Sequence, residues 1–311
     1  MNSYSRRTAS ALLLLALALL PAAPGNAQRR PKITGISGVA IRVSAFCQAH
    51  DFYSEVLGSR TNCPPGNSKA EPAGGGLTLA SGQSITLNTH SFYGPAPEPS
   101  HSLLEMVSFY TDDPRAMRQY LESWSLEPGE VTGQKPSFTV RDPQGLIIQF
   151  IEGQPLSRED HPAAAPARQR SIIHAGFIVR DEKAMNHFYQ DILGFRPYWH
   201  GGMKDDRTDW VSLQVPDGTD WIEFMLNIPA DADQHLRGVM NHIALGVTDL
   251  HQAREQLVNN GLHLTEEPKM GRDGKWQLNL YDPDQTRVEL MEFMPVEKPC
   301  CSEYTGPHPK P

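Results

Sequence analysis

The chain has 311 residues, a formal charge of −8, and 39% hydrophobic and 21% charged residues, an ordinary globular composition with enough sequence for one large domain or two of common size. Disorder, collagen and coiled coil are excluded by that balance. No basic run is longer than a pair, so a phosphate backbone would be repelled rather than gripped, and nucleic acid is not expected as a partner.

Residues 1–27 differ in kind from the rest: Arg6 and Arg7, an apolar run from Ala11 to Leu20, then Pro21, Pro24 and Gly25-Asn26-Ala27. These are the three zones of an export signal. The apolar run is about ten residues, well short of the roughly 20 that cross a bilayer as a helix. Cleavage after Ala27 is expected, leaving a periplasmic or secreted protein with no membrane span. Ser5-Arg6-Arg7 matches the start of a twin-arginine signal, but Ala9 and Ser10 stand where that pattern has bulky apolar residues, so general secretion is the reading preferred. Of the cysteines, Cys47 and Cys63 would close a modest loop as a disulfide outside the cytoplasm, and Cys300 and Cys301 adjoin in a Pro-rich tail. None has zinc-cluster spacing.

In chain order, one unit is written four times. Phe52-Tyr53, Val56, Leu57 and Gly58 follow a strand-like run from Val39 to Val43, and at a constant offset Phe188-Tyr189, Ile192, Leu193 and Gly194 follow a run from Ile172 to Val179. Thr111-Asp112 and Ala116 return as Thr248-Asp249 and Ala253, and Asp142-Pro143 returns as Asp282-Pro283. Each unit reads as a strand, an amphipathic helix and two or three further strands. In the third unit Asp181 is a good N-cap, Met185, Phe188 and Ile192 share a helical face, and Gly194 suits a left-handed C-cap. Strands are expected at Trp210 to Val215 and Trp221 to Leu226, with Pro216-Asp217-Gly218 as their turn. The Gly74-Gly75-Gly76 run lacks the lysine and helix start of a phosphate loop and reads as a flexible turn. A Pro- and Ala-rich linker at 155–170 divides the units into pairs, giving domains at 33–154 and 171–296 and a tail at 297–311. The units can pair within one chain or across a homodimer.

His174 and His242 begin equivalent strands of the last two units, and Glu223 and Glu289 sit inside equivalent apolar strands. Alternation puts His174 with Gly176 and Ile178 on one face and Ile173, Ala175, Phe177 and Val179 on the other, under the helix. A carboxylate buried alone costs several kcal/mol or takes up a proton. Two glutamates at matching points of two repeats therefore suggest one shared cation. Two imidazoles, two carboxylates and water suit a single divalent ion in octahedral geometry; nickel, cobalt, manganese, iron(II) and zinc all fit.

The repeated unit, carrying His174, Glu223, His242 and Glu289, resembles the vicinal oxygen chelate superfamily, which includes glyoxalase I, bleomycin resistance proteins and extradiol dioxygenases. The resemblance covers nearly all of residues 33–296. It implies an α+β fold: two domains of paired βαβββ modules, each a curled mixed sheet with helices outside. Alignment by the repeats puts Gly38, Thr86, Glu105 and Gln149 at the four metal positions of the N-terminal pair, so that pair is expected to hold no metal.

The second glutamate favours glyoxalase-like isomerase, epimerase or lyase chemistry. The resemblance implies that the metal grips two neighbouring oxygens of a small substrate and that a metal-associated carboxylate moves a carbon-bound proton, Glu289 first and Glu223 second. An iron(II) extradiol dioxygenase is the runner-up. It wants a tyrosine where Asn279 stands, and Tyr281, adjoining Asp282, is expected to face the wrong side of its strand. A non-catalytic small-molecule binder is the third reading. Asn227 matches a family position four residues after Glu223, Arg180 lies near the family's arginine position, which Ile178 occupies, and Lys275 falls in a loop before the last strands; these three are the expected substrate contacts.

Overall fold

The computed structural model describes residues 29–58, 63, 72–91, 103–156 and 170–311. The export signal and most of the linker expected at 155–170 lie outside these residues.

The first half runs β1 (Ile33–Arg42), α1 (Phe46–Val56), β2 (Gly74–Thr78), β3 (Ser84–Asn88), β4 (Leu104–Thr111), α2 (Pro114–Ser123), β5 (Ser137–Arg141) and β6 (Ile147–Glu152). These strands form a six-stranded mixed sheet of order β2-β3-β1-β4-β6-β5. The second half runs β7 (Ser171–Ile178), α3 (Glu182–Asn186, continued by a π-helical turn, His187–Ile192), β8 (Arg196–Gly201), β9 (Trp210–Gln214), β10 (Trp221–Met225), α4 (Gln234–Met240), β11 (His242–Val247), α5 (Leu250–Asn259), β12 (Lys269–Met270), β13 (Trp276–Tyr281) and β14 (Arg287–Glu292). Its eight-stranded sheet has the order β12-β13-β14-β11-β7-β10-β9-β8. Each sheet joins two repeats through the antiparallel pairing of their first strands, β1 with β4 and β7 with β11. The repeats thus pair within the chain.

Local chemistry starts and stops the helices where the repeats place them. Asp113, Asp181, Asp233 and Asp249 each accept a hydrogen bond from the N–H three residues on, a cap worth about 1 kcal/mol each. Gly58 and Gly194 take the left-handed conformation that ends their helices, φ 68° and 77°. Along β10, Ile222 and Phe224 point into the main core while Trp221 and Met225 point to the opposite face, the period of two that a half-buried strand requires.

Two expectations are corrected. The Gly74-Gly75-Gly76 run opens edge strand β2, paired with β3. Its glycines permit close approach: a Cβ on Gly74 would lie 2.8 Å from the Leu87 carbonyl oxygen, and one on Gly75 2.8 Å from the Phe46 ring. The alternation expected along β7 breaks at Ile173, because the register with β11 shifts between Ala244 and Leu245. This bulge sends Ile173 to the concave face with Trp221 and Met291, and Ile172 takes its place in the core.

The two sheets share one continuous core. At its edge Gln83 donates to the carbonyls of Ile36 and Ile172 at 2.9 and 2.8 Å and accepts from the Ile172 N–H at 2.7 Å. Cys47 and Cys63 are disulfide-bonded, as are Cys300 and Cys301. None of the helices of the described residues is long and apolar enough to cross a membrane.

Candidate metal centre

The concave face of the eight-stranded sheet gathers side chains from four strands. β7 brings His174, β10 Glu223, β11 His242 and β14 Glu289. The parallel and antiparallel registers place them side by side: Glu223 lies opposite Gly176, Gly176 opposite His242, and Ala244 opposite both His174 and Glu289. Small residues between the donors are a steric necessity. A Cβ on Gly176 would fall 2.0 Å from Cε1 of the His242 ring, so only glycine lets that imidazole reach the centre.

The four side chains converge. His174 Nε2 and His242 Nε2 are 3.0 Å apart. Glu289 Oε2 lies 3.5 Å from His174 Nε2 and 4.0 Å from His242 Nε2, and Glu223 Oε2 lies 3.6 Å from His242 Nε2. Ligand atoms of His174, Glu223 and His242 all fall within 4.8 Å of one another. His242 Nδ1 faces the Met240 carbonyl at 3.2 Å, and donating there leaves Nε2 a lone pair aimed at the centre. The Ser212 hydroxyl donates to Glu223 Oε1 at 3.3 Å.

Electrostatics set the resting protonation. Both imidazoles are fully buried, and burial, reinforced by the Arg287 charge, pushes their pKa values well down, so they are neutral. Burial pushes Glu223 up to about 8, aided by Glu289, and Glu289 up to about 7. Two neutral imidazoles with Nε2 atoms 3.0 Å apart, flanked by two buried carboxylates, are a donor set that fits a divalent ion.

A cavity of about 420 Å³ opens over this cluster. Trp210 and Trp221 are in its wall, as are Met225, Met291 and Tyr304 of the tail. Arg287, two residues before Glu289 and on the same strand face, also lines it, and its Nε is buried without a hydrogen-bond partner among the described residues.

Lys275 is 0% exposed. Its ammonium lies among three aromatic rings, 4.7 Å from the centroid of Trp221, 5.3 Å from Tyr304 and 6.0 Å from Tyr198. Burial lowers it to about 8 against the pull of Asp273, Glu289 and Glu223.

Lys275, Arg180 and Asn227 are all outside the set of residues that line the cavity. Arg180 is spent on the Ile228 and Pro229 carbonyls. Asn227 donates to the Thr208 carbonyl at 2.9 Å and to Asp209 at 3.0 Å. Both side chains brace the loop that follows β10. The expectation for Tyr281 is corrected. It shares the cavity-facing side of β13 with Gln277 and Asn279, since residues two apart lie on one face, and its hydroxyl donates to Glu266 at 2.6 Å.

In the N-terminal sheet the counterpart of His242 is Met106, not Glu105. Met106 lies opposite Ala40 as His242 lies opposite Gly176, and it packs with Ala40 and Ile147. Glu105 is instead 3.7 Å from Arg42. Gln149 lies beside Ser108, which donates to it at 2.8 Å.

Sequence reasoning missed Arg287, whose spacing from Glu289 was a usable signal, and Tyr304, whose approach depends on long-range chain path alone.

A curled mixed sheet that gathers two imidazoles and two carboxylates at the base of a cavity defines a protein of duplicated βαβββ cups. The pattern of the Glyoxalase/Bleomycin resistance protein/Dioxygenase superfamily matches residues 171–290, the stretch that carries all four side chains of the centre. No curated protein matches the chain in sequence. Solved structures match over most of its length. An extradiol ring-cleaving dioxygenase from B. fuscum superposes with a TM-score of 0.60 at 16% identity, covering 85% of this chain and 73% of that one. The homoprotocatechuate 2,3-dioxygenase of Arthrobacter globiformis gives 0.56 at 16%, covering 85% and 80%. That of Brevibacterium fuscum, in complex with 3,4-dihydroxyphenylacetate, gives 0.57 at 17%, covering 90% and 84%. These likenesses establish a common fold.

Proposed function

We propose that the protein is an exported, metal-dependent enzyme that moves a carbon-bound proton on a small molecule bearing two neighbouring oxygens, with isomerase, epimerase or lyase chemistry. The observation that carries this reading is the pairing of one carboxylate with each imidazole, Glu289 at 3.5 Å from His174 and Glu223 at 3.6 Å from His242. Export rests on the three-zone signal at residues 1–27.

His174, Glu223, His242 and Glu289 would hold the divalent ion, nickel, cobalt, zinc, manganese or iron(II), leaving positions for two ligand oxygens. When bound, such an ion supplies Lewis-acid polarisation of those oxygens. The residues do the rest. The neutral imidazoles act as fixed donors, and the His242 ring is oriented by the Met240 carbonyl. Glu289 accepts the carbon-bound proton and returns it to the neighbouring atom, and Glu223, steadied by Ser212, is the base on the opposite side. The Trp and Met walls exclude water from the exchange.

The test begins with elemental analysis of the mature protein beside His174→Ala and His242→Ala. One equivalent of metal in the parent and loss in both variants is expected; metal that persists in both sinks the site. Exchange of deuterium from heavy water into an α-hydroxyketone, abolished by Glu289→Gln, is then expected for proton transfer.

A second reading, iron(II)-dependent ring opening by dioxygen, is supported by the likeness to extradiol dioxygenases, with TM-scores of 0.56 and 0.60. Anaerobically iron-loaded protein that consumes one dioxygen per catechol, with no deuterium exchange into the hydroxyketone, would replace the first reading.

A further inference from the structure

The eight-stranded sheet has two edges, β8 at one end and β12 with β13 at the other, and the segment 297–311 joins them. On the β13 side, the N–H groups of Val296 and Glu297 donate to the Gly274 carbonyl at 2.8 and 3.1 Å, the Cys300 N–H to the Arg272 carbonyl at 2.8 Å, and the Tyr304 hydroxyl to the Asp273 carboxylate at 3.2 Å. On the β8 side, Ser302 bridges the His200 N–H and carbonyl at 2.9 and 3.0 Å, the Thr305 N–H donates to the Tyr198 carbonyl at 3.0 Å, and Gln214 holds the Pro307 carbonyl at 2.8 Å. The C-terminal segment is a strap that ties the two ends of the sheet together.

Tyr304 sits where the strap crosses. Its ring lines the same cavity as Glu223 and Glu289 and stands 5.3 Å from the Lys275 ammonium. That ammonium makes no hydrogen bond among the described residues. A buried cation without such a partner is held by its aromatic faces and by the exclusion of water, and Tyr304 is the face that the strap supplies.

We propose that Tyr304 is a specificity-determining residue, the wall that limits how large a metal-chelating ligand the cup admits, and that it seals Lys275 from water. The first part rests on the metal-site reading above; the second does not. The ligand class is a small molecule that offers two neighbouring oxygens on a compact body, since the Tyr304 ring takes up part of the wall of the cavity that Glu223 and Glu289 line.

The experiment uses the full mature chain loaded with cobalt(II), with Tyr304→Ala, Tyr304→Leu and Tyr304→Phe. Acetohydroxamate and benzohydroxamate share one two-oxygen chelating head and differ in bulk, and their affinities are read from the cobalt absorption spectrum. In parallel, acetylation of Lys275 by acetic anhydride is followed by mass spectrometry. Tyr304→Ala and Tyr304→Leu are expected to improve the affinity ratio of benzohydroxamate to acetohydroxamate by about tenfold, with Tyr304→Phe near the parent ratio; a loosened fold would weaken both ligands alike. Binding of benzohydroxamate by the variants alone also supports the wall. A ratio unchanged in both Ala and Leu variants, or no response to either hydroxamate in any of the proteins, overturns it. Lys275 is expected to resist acetylation in the parent and react at least tenfold faster in the Ala variant; equal rates overturn the seal. Cobalt that persists in both histidine variants removes the metal reading while leaving the acetylation result to judge the strap.

Discussion

The Tyr53 hydroxyl donates to the Asp282 carboxylate at 3.0 Å across the two sheets, and Tyr189 donates to Asp142 at 3.2 Å in the reverse direction. The pairs are related by the internal repeat. Each aspartate also accepts from two N–H groups of its own turn, Asp142 from Gln144 and Leu146, Asp282 from Asp284 and Thr286. The recurring Asp-Pro element is therefore structural: it shapes a turn and docks a tyrosine from a helix of the opposite half. Hydrogen bonds to charged groups contribute about 1.5–3 kcal/mol. Tyr53→Phe and Tyr189→Phe are each expected to lower stability by that order in urea unfolding followed by circular dichroism. Two variants indistinguishable from the parent would show that these tyrosine–aspartate pairs add nothing to the joining of the two halves.

Gly176 supports a prediction at the centre itself. With a Cβ placed 2.0 Å from the His242 ring, Gly176→Ala must swing the imidazole away or shift β7 against β11, at an overpacking cost of about 1–3 kcal/mol. A folded protein that retains less than a tenth of the parent's metal is expected, read by elemental analysis beside a far-ultraviolet spectrum. Full metal occupancy in this variant would mean that His242 reaches the ion by another route.

Much of this was legible because repeats advertise themselves. The four cup residues share chemical type and strand position across the last two units, and Asp181 and Gly194 mark their helix ends locally. What stayed hidden is non-local. The bulge that moves Ile173 to the concave face arises from register with β11, and the glycines of β2 answer to Phe46 and Leu87. The strap reaches Tyr198 and Asp273 over long sequence separations, which no periodic pattern encodes. Register also replaced Glu105 by Met106 as the counterpart of His242, because homologous strands align by hydrogen bonding rather than by motif.

Arg287 is the cavity cation whose role is most accessible to substitution. It lies near both carboxylates and both imidazoles, and its charge lowers the pKa of each glutamate. Arg287→Met keeps much of the bulk and removes the charge. Affinity for a divalent ion is expected to rise by about tenfold, since one like charge leaves the site, roughly 1.4 kcal/mol in the binding equilibrium. Competition with a chelator dye measures it. Weaker metal binding in this variant would mark Arg287 as a scaffold for the ligands rather than a counter-charge.

The protonation state of the centre gives the protein a signed pH dependence. Glu223 and Glu289 keep protons up to about 8 and about 7 in the fold, against 4.5 for an ordinary glutamate. Between those limits the folded chain binds more protons than the unfolded one, so these groups make stability fall as pH rises. The two imidazoles, neutral in the fold, act in the opposite sense below their ordinary value of 6.5. Burial also raises Asp220 to about 7 and Asp142 and Asp282 to about 6, so below about pH 6.5 the imidazoles offset only part of the carboxylates' effect, and from there to about pH 8 the carboxylates act unopposed. Chelator-treated protein is therefore expected to lose thermal stability from about pH 6.5 to about pH 8. A divalent ion needs the same carboxylates ionised and competes with their protons, so the rise in melting temperature on adding zinc is expected to grow across that window. Scanning calorimetry with and without metal checks both signs. A metal-free melting temperature that climbs through the window would mean that the carboxylates are ionised and paired in the resting fold.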